Sequence, residues 1–260
     1  MVLAAAVLLG LSLKFSIILP IAFALLGSIA VYELLYSTGI VKNKYAVLFS
    51  MLPAVIVPFV FMEIIKTELS LIYVLFVVVQ SALYLKLHKT VNLCGMFALM
   101  LIPVIVSYGF SAFCFIAAQN KLFYVVLLLC FSAVADTGAY FTGVFLGKHK
   151  MAPVISPKKT WEGFIGGMVF SALAVLLVSI IYKNVFDFNI NIVLNILVTP
   201  LFTAIGVLGD LTASLIKRQC NIKDYGKLIP GHGGIMDRFD SNLMIAPVLY
   251  LFITYFPLVK

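Results

Sequence analysis

Long hydrophobic runs recur from one end of this sequence to the other, and they limit its possible folds more than any other feature. Each run is about 17 to 25 residues long, the length that an α-helix needs to cross a hydrocarbon core of roughly 30 Å. Hydrophobic residues make up 63% of the 260 residues and charged residues only 11%, which is far outside the range of soluble domains. The sequence therefore predicts an all-α, polytopic integral membrane protein.

We predict about nine transmembrane helices, of which the first is too short to cross a bilayer of full thickness. They lie near residues 2–13, 15–36, 45–65, 69–87, 92–112, 121–146, 163–182, 192–216 and 242–258. If the N-terminus is cytoplasmic, thirteen of the eighteen Lys and Arg residues fall in inner loops, as the positive-inside rule expects. No small-residue cleavage site precedes a polar region, so we expect no cleavable signal peptide. The expected location is the cell (inner) membrane, with a polar active site facing the cytoplasm.

Cysteine usage and charge exclude several other classes of protein. The four cysteines are dispersed without a CxxC pair, so neither a disulfide framework nor a zinc site is indicated. The formal net charge of +8 suits anionic lipid headgroups or phosphorylated substrates. Nucleic acid is not an expected partner, because the basic residues lie in short loops between spans and form no soluble patch.

The two halves of the chain differ in polarity. We expect residues 1–260 to form a single transmembrane catalytic domain, with 1–118 mainly a helical scaffold and 119–260 carrying the catalytic motifs. Glu33 and Glu63 are the only carboxylates inside the predicted spans of the first half, and both lie near a span end. Because charge is expensive at mid-bilayer, we expect both to occupy solvated, interfacial positions.

The second half begins with a carboxylate, Asp136, inside the sixth predicted span. Burying an unpaired carboxylate costs several kcal/mol, so Asp136 is a candidate for function, with a hydrogen bond to a hydroxyl neighbour as the alternative. The loop at 147–162 follows it and offers Lys and Ser donors of the kind that hold phosphate oxygens, although such loops often only set topology. Glycines at 163, 166 and 167 then indicate close packing of the next helix.

Charge is most concentrated in residues 209–241, which hold four of the ten carboxylates and five of the eighteen Lys and Arg residues. On a helix, Asp210, Ser214, Lys217 and Arg218 share one face. Glycines follow at 231, 233 and 234, where backbone N–H groups can turn towards anionic oxygens. Span parity places this region and the loop at 147–162 on one face of the membrane, so we treat them as one site.

Carboxylates among many cations indicate a compact divalent ion in this region. Hard oxygen ligands select Mg²⁺, which takes one or two carboxylates and completes its shell with phosphate and water oxygens. We therefore expect Mg²⁺ to be held by Asp210 and Asp237, with Asp240 as a third candidate, in a site for phosphoryl chemistry. A second metal ion is left open. His232 is the imidazole of this region, and both a hydrogen-bond donor and a general base remain open for it.

These polar positions resemble a known family. From Ser214 to Asp240 they read S-x-x-K-R-x4-K-D-x-G-x2-I-P-G-H-G-G-x-x-D-R-x-D, which closely resembles the signature of phosphatidate cytidylyltransferases, also called CDP-diglyceride synthases. The segments ADTGAY, ISPKKTWEG and GD-x3-S are similar to that family as well, so the resemblance covers roughly residues 131–247. One departure is Ala213, at a stretch where relatives often carry Glu.

The resemblance implies that CTP and phosphatidate react to give CDP-diacylglycerol and pyrophosphate, with Mg²⁺ required. The expected partners are these two substrates and membrane lipids, and a homodimer is left open. A phosphate monoester is already an anion at neutral pH, so the enzyme must supply in-line positioning and charge neutralisation rather than a base. The expected catalytic residues are Asp210, Lys217, Arg218, Asp237 and Arg238. The expected substrate-binding residues are Asp136, Ser156, Lys158, Lys159, Ser214, Lys223, Asp224, His232, Gly233 and Gly234.

Two other functions fit parts of the same pattern. A CTP-dependent lipid-alcohol kinase needs similar metals but must activate a hydroxyl group. A membrane cation or phosphate transporter could use Asp136 and Asp210 as a relay. Most of the charge, however, lies on the predicted inner face, without a matching polar path in the outer half.

Overall fold

The computed structural model describes residues 17–119, 122–228, 233–256 and 258. The first predicted span, near 2–13, lies outside these residues. The described helices, in chain order, are α1 Ile18–Tyr32, α2 Lys44–Ser50, α3 Leu52–Phe61, α4 Leu69–Leu87, α5 Leu93–Ala118, α6 Leu122–Leu129, α7 Ala135–Leu146, α8 Trp161–Val185, α9 Ile192–Gln219 and α10 Met236–Tyr255. Five-residue π-helical turns continue α1 through Glu33–Ser37 and connect α6 to α7 through Cys130–Val134.

Seven helical segments of the described residues are long and apolar enough to cross a membrane. They are Ile18–Ser37, Lys44–Phe61, Leu69–Leu87, Leu93–Ala118, Leu122–Leu146, Trp161–Val185 and Ile192–Gln219. Each overlaps a predicted span, so the polytopic, nearly all-α character is confirmed. The span predicted near 242–258 lies on α10, which is not among the seven because charged residues occupy its first turns. The total of nine spans stays a prediction.

The loop expected at 147–162 contains a short β-hairpin, which the all-α prediction did not include. Strands β1 Lys150–Ala152 and β2 Ser156–Thr160 pair antiparallel, with Lys150 opposite Thr160 and Ala152 opposite Ser156. The hairpin leads directly into α8. Thr160, the last residue of β2, caps this helix, because its side chain accepts a hydrogen bond from the N–H of Gly163. This arrangement fixes the direction of the lysines on β2.

The chain divides into two compact units. Of the described residues, the first unit holds those up to 119 together with 217–239, and the second holds 122–216 together with 240–258. In the first unit, α1 and α3 pack closely at Gly27. A Cβ added at Gly27 would already be in van der Waals contact with the Cβ of Ala54, at 3.4 Å. A cluster of aromatic rings then ties α1 and α5 to the start of α10. Its members are Phe23, Phe110, Phe113 and Phe239.

In the second unit, α7 and α8 pack against each other through small residues. A Cβ added at Gly163 would lie 2.7 Å from the carbonyl oxygen of Ala139, and one at Gly167 would lie 2.7 Å from that of Ala135. Ordinary side chains do not fit at such distances, so the predicted close packing at these glycines is confirmed. The contact places the start of α7, where Asp136 lies, beside the first half of α8.

Candidate functional site

In the first unit, polar contacts centre on Asp237 in the first turn of α10. Its side chain is only 4% exposed. Lys217 Nζ donates to Oδ1 at 2.8 Å, while the N–H groups of Tyr225 and Gly234 donate to Oδ2 at 2.8 and 3.0 Å. Burial raises the pKa of Asp237, but these hydrogen bonds and the Lys217 charge outweigh burial, so the pKa lies below its ordinary value. Asp237 is therefore held as a carboxylate.

Lys217 is fixed by a second partner. Its ammonium lies 5.2 Å from the ring centre of Tyr225, a cation–π distance, and Tyr225 itself is only 1% exposed. The Lys217 side chain is 15% exposed, so part of it still reaches solvent. Lys217, at the cation-rich end of α9, and Asp237 thus form an ion pair within the first unit.

Glu33 is a member of this cluster that the sequence analysis placed elsewhere. The residue is 4% exposed, and its two carboxylate oxygens accept the N–H groups of Ile235 and Met236 at 3.0 and 2.8 Å. The expectation of a solvated, interfacial Glu33 is therefore wrong, whereas Glu63 is exposed as expected. The physical reason is that the first N–H groups of a helix lack partners within the helix and attract anions. The one sequence feature that could have indicated this role is that Glu33 is a carboxylate inside an apolar span.

In the second unit, acidic, basic and apolar side chains line a cavity of about 220 Å³. Asp210 on α9 and Lys159 on β2 form its ion pair, with 2.6 Å between Asp210 Oδ2 and Lys159 Nζ. This is an ion-pair distance, but the two groups do not meet at a hydrogen-bonding angle. The hydroxyl of Ser214 donates to the other oxygen of Asp210 at 3.3 Å. The remaining lining residues are Asp136, Ala139, Tyr140, Met151, Lys158, Thr160, Gly163, Phe164 and Val207.

The hairpin that carries Lys158 and Lys159 is held at its beginning by Glu162. This carboxylate accepts the N–H groups of Lys148 and His149, and it lies 2.6 Å from the His149 ring nitrogen Nδ1. The contacts connect the end of α7 to the first turn of α8 across the hairpin. These contacts of Glu162 with the hairpin were not predicted from the sequence.

The other predicted site residues occupy varied positions. Ser156 lies half-buried on β2, and Asp240 is half-buried with Oδ1 accepting its neighbour's N–H, that of Ser241, at 2.8 Å. Gly233 has a φ of +83°, a backbone conformation that favours glycine. The side chains of the remaining described residues are exposed, namely Arg218, Lys223, Asp224 and Arg238. His232 lies outside the described residues.

The sequence predicted that backbone N–H groups of the glycine-rich segment face anionic oxygens and that carboxylates share a metal ion. The N–H of Gly234 does meet an anionic oxygen, and that oxygen belongs to Asp237. Among the residues that the structure describes, no group of three or more His, Cys, Asp or Glu side chains is arranged to hold a metal ion. The sharing of one ion by Asp210 and Asp237 stays a prediction.

Comparison with known proteins gives consistent results. The family model described as "Cytidylyltransferase family" matches residues 1–256. A phosphatidate cytidylyltransferase of Staphylococcus haemolyticus (strain JCSC1435) is 46% identical over 144 residues, which is 55% of this chain and 54% of the relative. One of Staphylococcus saprophyticus is 44% identical over 131 residues, 50% of this chain and 49% of the relative.

A third relative is matched along almost its full length. The phosphatidate cytidylyltransferase of Staphylococcus aureus (strain COL) is 36% identical over 256 residues, covering 95% of this chain and 94% of the relative. By contrast, the chain spans about half the length of the first two relatives in their alignments. Because the family model and the third alignment both run almost from end to end, the chain belongs to the cytidylyltransferase family.

Proposed function

We propose that this protein is a phosphatidate cytidylyltransferase of phospholipid biosynthesis. In the reaction, a phosphate oxygen of phosphatidate attacks the α-phosphorus of CTP and forms a new P–O bond. The bond between the α-phosphorus and the oxygen bridging to the β-phosphorus breaks, and pyrophosphate leaves. CDP-diacylglycerol is the lipid product. The family membership and the names of the three relatives support this assignment.

The structural observation that carries the proposal is the mixed character of the cavity in the second unit. A phosphorylated lipid has an anionic head and apolar chains, and the cavity offers Lys158 and Lys159 beside Phe164 and Val207. Ammonium groups make charge-assisted hydrogen bonds to phosphate oxygens. Apolar walls favour the glycerol and acyl part of the same molecule. We therefore assign phosphatidate to this cavity.

The charges of the cavity also favour a divalent cation. Asp136 and Asp210 balance the two lysines, so an entering phosphate would add uncompensated negative charge. Carboxylate oxygens are hard ligands, and Mg²⁺ typically takes one or two of them together with substrate phosphates. Asp237 fits a metal as well, because a carboxylate has about four acceptor directions and its three donors among the described residues leave about one.

We accordingly propose Asp210, Asp237 and Asp240 as the residues that would hold Mg²⁺. When bound, the ion would supply Lewis-acid stabilisation of charge on phosphate oxygens. The chain's own cations supply the rest: Lys217, Arg218 and Arg238 neutralise the nucleotide phosphates and the departing pyrophosphate. Lys159 exchanges its carboxylate partner for the lipid phosphate. No side chain needs to remove a proton, because the attacking oxygen is already anionic at neutral pH.

We further propose that the protein lies in the cell membrane with its site open to the cytoplasm. CTP is soluble in water and phosphatidate is held in the bilayer, so the site must be reachable from both phases. The basic inner loops support this orientation through the positive-inside rule.

A labelling experiment tests the reaction. Purified protein in mixed micelles that contain both phosphatidate and diacylglycerol receives Mg²⁺ and CTP labelled with ³²P at either the α or the γ position. We expect the α label to appear in the lipid fraction and the γ label in pyrophosphate. Transfer of the γ label to diacylglycerol or another lipid alcohol would instead identify a lipid kinase. The Asp210→Asn variant, purified in parallel, reports any contaminating activity.

A further inference from the structure

We propose that Glu33, in the first membrane helix, is a positioning residue for the catalytic signature. Its carboxylate lies between Gly226 and Gly234, which we call the loop base, and so fixes the turn of α10 that carries Asp237. The proposal rests on the proposed function for its effect on turnover, but the loop closure itself is a structural property that can be measured separately.

The first support is the pair of hydrogen bonds that Glu33 accepts. Its Oε1 and Oε2 bind two consecutive N–H groups, those of Ile235 and Met236, at 3.0 and 2.8 Å. Both N–H groups belong to the beginning of α10, where no carbonyl of the same helix can accept them. Glu33 is 4% exposed, so water offers these donors little alternative. The carboxylate therefore acts as the N-terminal partner of α10 across 202 residues of sequence.

The second support comes from the glycines at the two ends of the loop. A Cβ added at Gly226 or at Gly234 would collide with the Glu33 carboxylate. A Cβ added at Gly226 would also come within 3.2 Å of the Cα of Gly234. The two ends of the loop thus meet around one carboxylate, and both must lack a side chain for Glu33 to enter. Neither residue has a positive φ, so space rather than backbone conformation requires glycine here.

The third support is that Asp237 holds the same loop base from its own side. Its Oδ2 accepts the N–H groups of Tyr225 and Gly234, which flank the loop next to the positions that Glu33 occupies. Three consecutive N–H groups, 234 to 236, are therefore taken by two carboxylates. Removing Glu33 would leave two buried donors unsatisfied and the loop base held by Asp237 alone. A looser base changes where Asp237 and Lys217 lie.

Substitutions at Glu33 separate this role from a general effect on folding. Glu33→Gln keeps the shape but offers one acceptor oxygen for two donors, and Glu33→Ala offers none. Glu68→Gln is the matched control, because Glu68 is exposed in the same unit and its side chain does not cap α4. Limited trypsin digestion in detergent reports loop order through cleavage after Lys223 and Lys227, which are exposed; Lys89, in an exposed turn, is the internal reference.

For Glu33→Gln we expect cleavage after Lys223 and Lys227 to be about fivefold to tenfold faster, with cleavage after Lys89 unchanged. The KM for CTP should rise by about tenfold, with a smaller loss of kcat, because the phosphate-binding groups are displaced rather than removed. Glu33→Ala should raise the cleavage rate and the KM for CTP more than Glu33→Gln does. Glu68→Gln should have the wild-type cleavage rate and KM. Wild-type cleavage and wild-type KM in Glu33→Gln would overturn the proposal.

A double-substitution cycle tests the contact directly. Gly234→Ala alone should speed loop cleavage, because the added methyl displaces the Glu33 carboxylate. Combined with Glu33→Ala, it should add little, since the carboxylate is already gone. Fully additive effects would overturn the direct contact. If wild-type protein failed to transfer α-labelled phosphate, the proposed function would fall, while the trypsin measurements would still decide the role of Glu33.

Discussion

At the scale of single residues, Asp210 and Asp237 have similar predicted roles but different surroundings. Among the described residues, Asp210 lines an open cavity and faces one lysine and one hydroxyl, whereas Asp237 is buried and accepts three hydrogen bonds. Asp237 must therefore serve the structure of the loop as well as any ligand. Substitution at the two positions should have different effects on folding and similar effects on turnover.

We expect Asp210→Asn and Asp237→Asn each to lower turnover by about 100-fold or more, because each removes a charge that the reaction needs. Asp210→Asn should leave the thermal midpoint in detergent nearly unchanged, while Asp237→Asn should lower it. Asp187→Asn is the control, since Asp187 is exposed and asparagine tolerates its φ of +54°. Near-normal turnover in either site variant would remove that residue from the proposed metal ligands.

The pKa of Asp237 gives a prediction about pH. Since this pKa is lower in the folded protein than the ordinary value of 3.8, the unfolded chain binds more protons as the pH falls past that value. The stability that Asp237 contributes is fully present above the ordinary pKa and is lost as the pH falls through the folded pKa. The thermal midpoints of wild type and Asp237→Asn should therefore converge below about pH 4. A constant difference from pH 7 to pH 3 would contradict this account.

At the scale of helices and strands, the α7–α8 contact connects packing to the cavity. Glycines on α8 lie against backbone carbonyls of α7, and Ala139 and Gly163, which meet in this contact, also line the cavity. In a membrane, close approach through small residues replaces the hydrophobic effect as the source of helix association. Any side chain that separates these helices should also shift one wall of the cavity.

Gly167→Ala tests this connection. The new methyl would lie 2.7 Å from the Ala135 carbonyl oxygen and 3.1 Å from the Ala139 Cβ, so α7 and α8 must move apart. We expect a loss of about 1–3 kcal/mol of stability, as for overpacked cores, and a raised KM for phosphatidate. Ile165→Val on the exposed face of the same helix is the control, because Ile165 is 60% exposed. Unchanged stability and KM in Gly167→Ala would argue against the packing contact.

The helices were predictable from sequence and the hairpin was not, for different physical reasons. A membrane helix needs about 20 apolar residues, so its signal in composition is strong. Strands of three and five residues, Lys150–Ala152 and Ser156–Thr160, have no such signal and depend on pairing with each other. The sequence predicted Asp136, Lys158, Lys159 and Asp210 as site residues because they are charged residues in an otherwise apolar region. All four line the second-unit cavity, and their roles in the reaction stay predictions.

At the scale of the whole molecule, contacts between distant parts of the sequence were the hardest to predict. Glu33 and Met236 are 203 residues apart, and nothing in local spacing connects them. The first half was predicted to be scaffold because its carboxylates are few, yet one of them contacts the segment that resembles the family signature. A single carboxylate in an apolar span should therefore be treated as a candidate functional residue, even when it lies near the end of the span.

The topology of the chain leads to the last prediction, which concerns the side of the membrane on which each loop lies. From span parity we predict that the hairpin and the segment after α9 lie in the cytoplasm and that the end of α8 lies outside. We expect Val154→Cys and Lys223→Cys, made after replacing Cys94 and Cys220 by Ser, to react with an impermeant maleimide in inside-out vesicles only. Asn184→Cys, at the exposed end of α8, should react in right-side-out vesicles only. The proposed reaction requires phosphatidate and CTP to reach groups on both segments, so labelling of positions 154 and 223 from opposite sides would exclude a shared reaction.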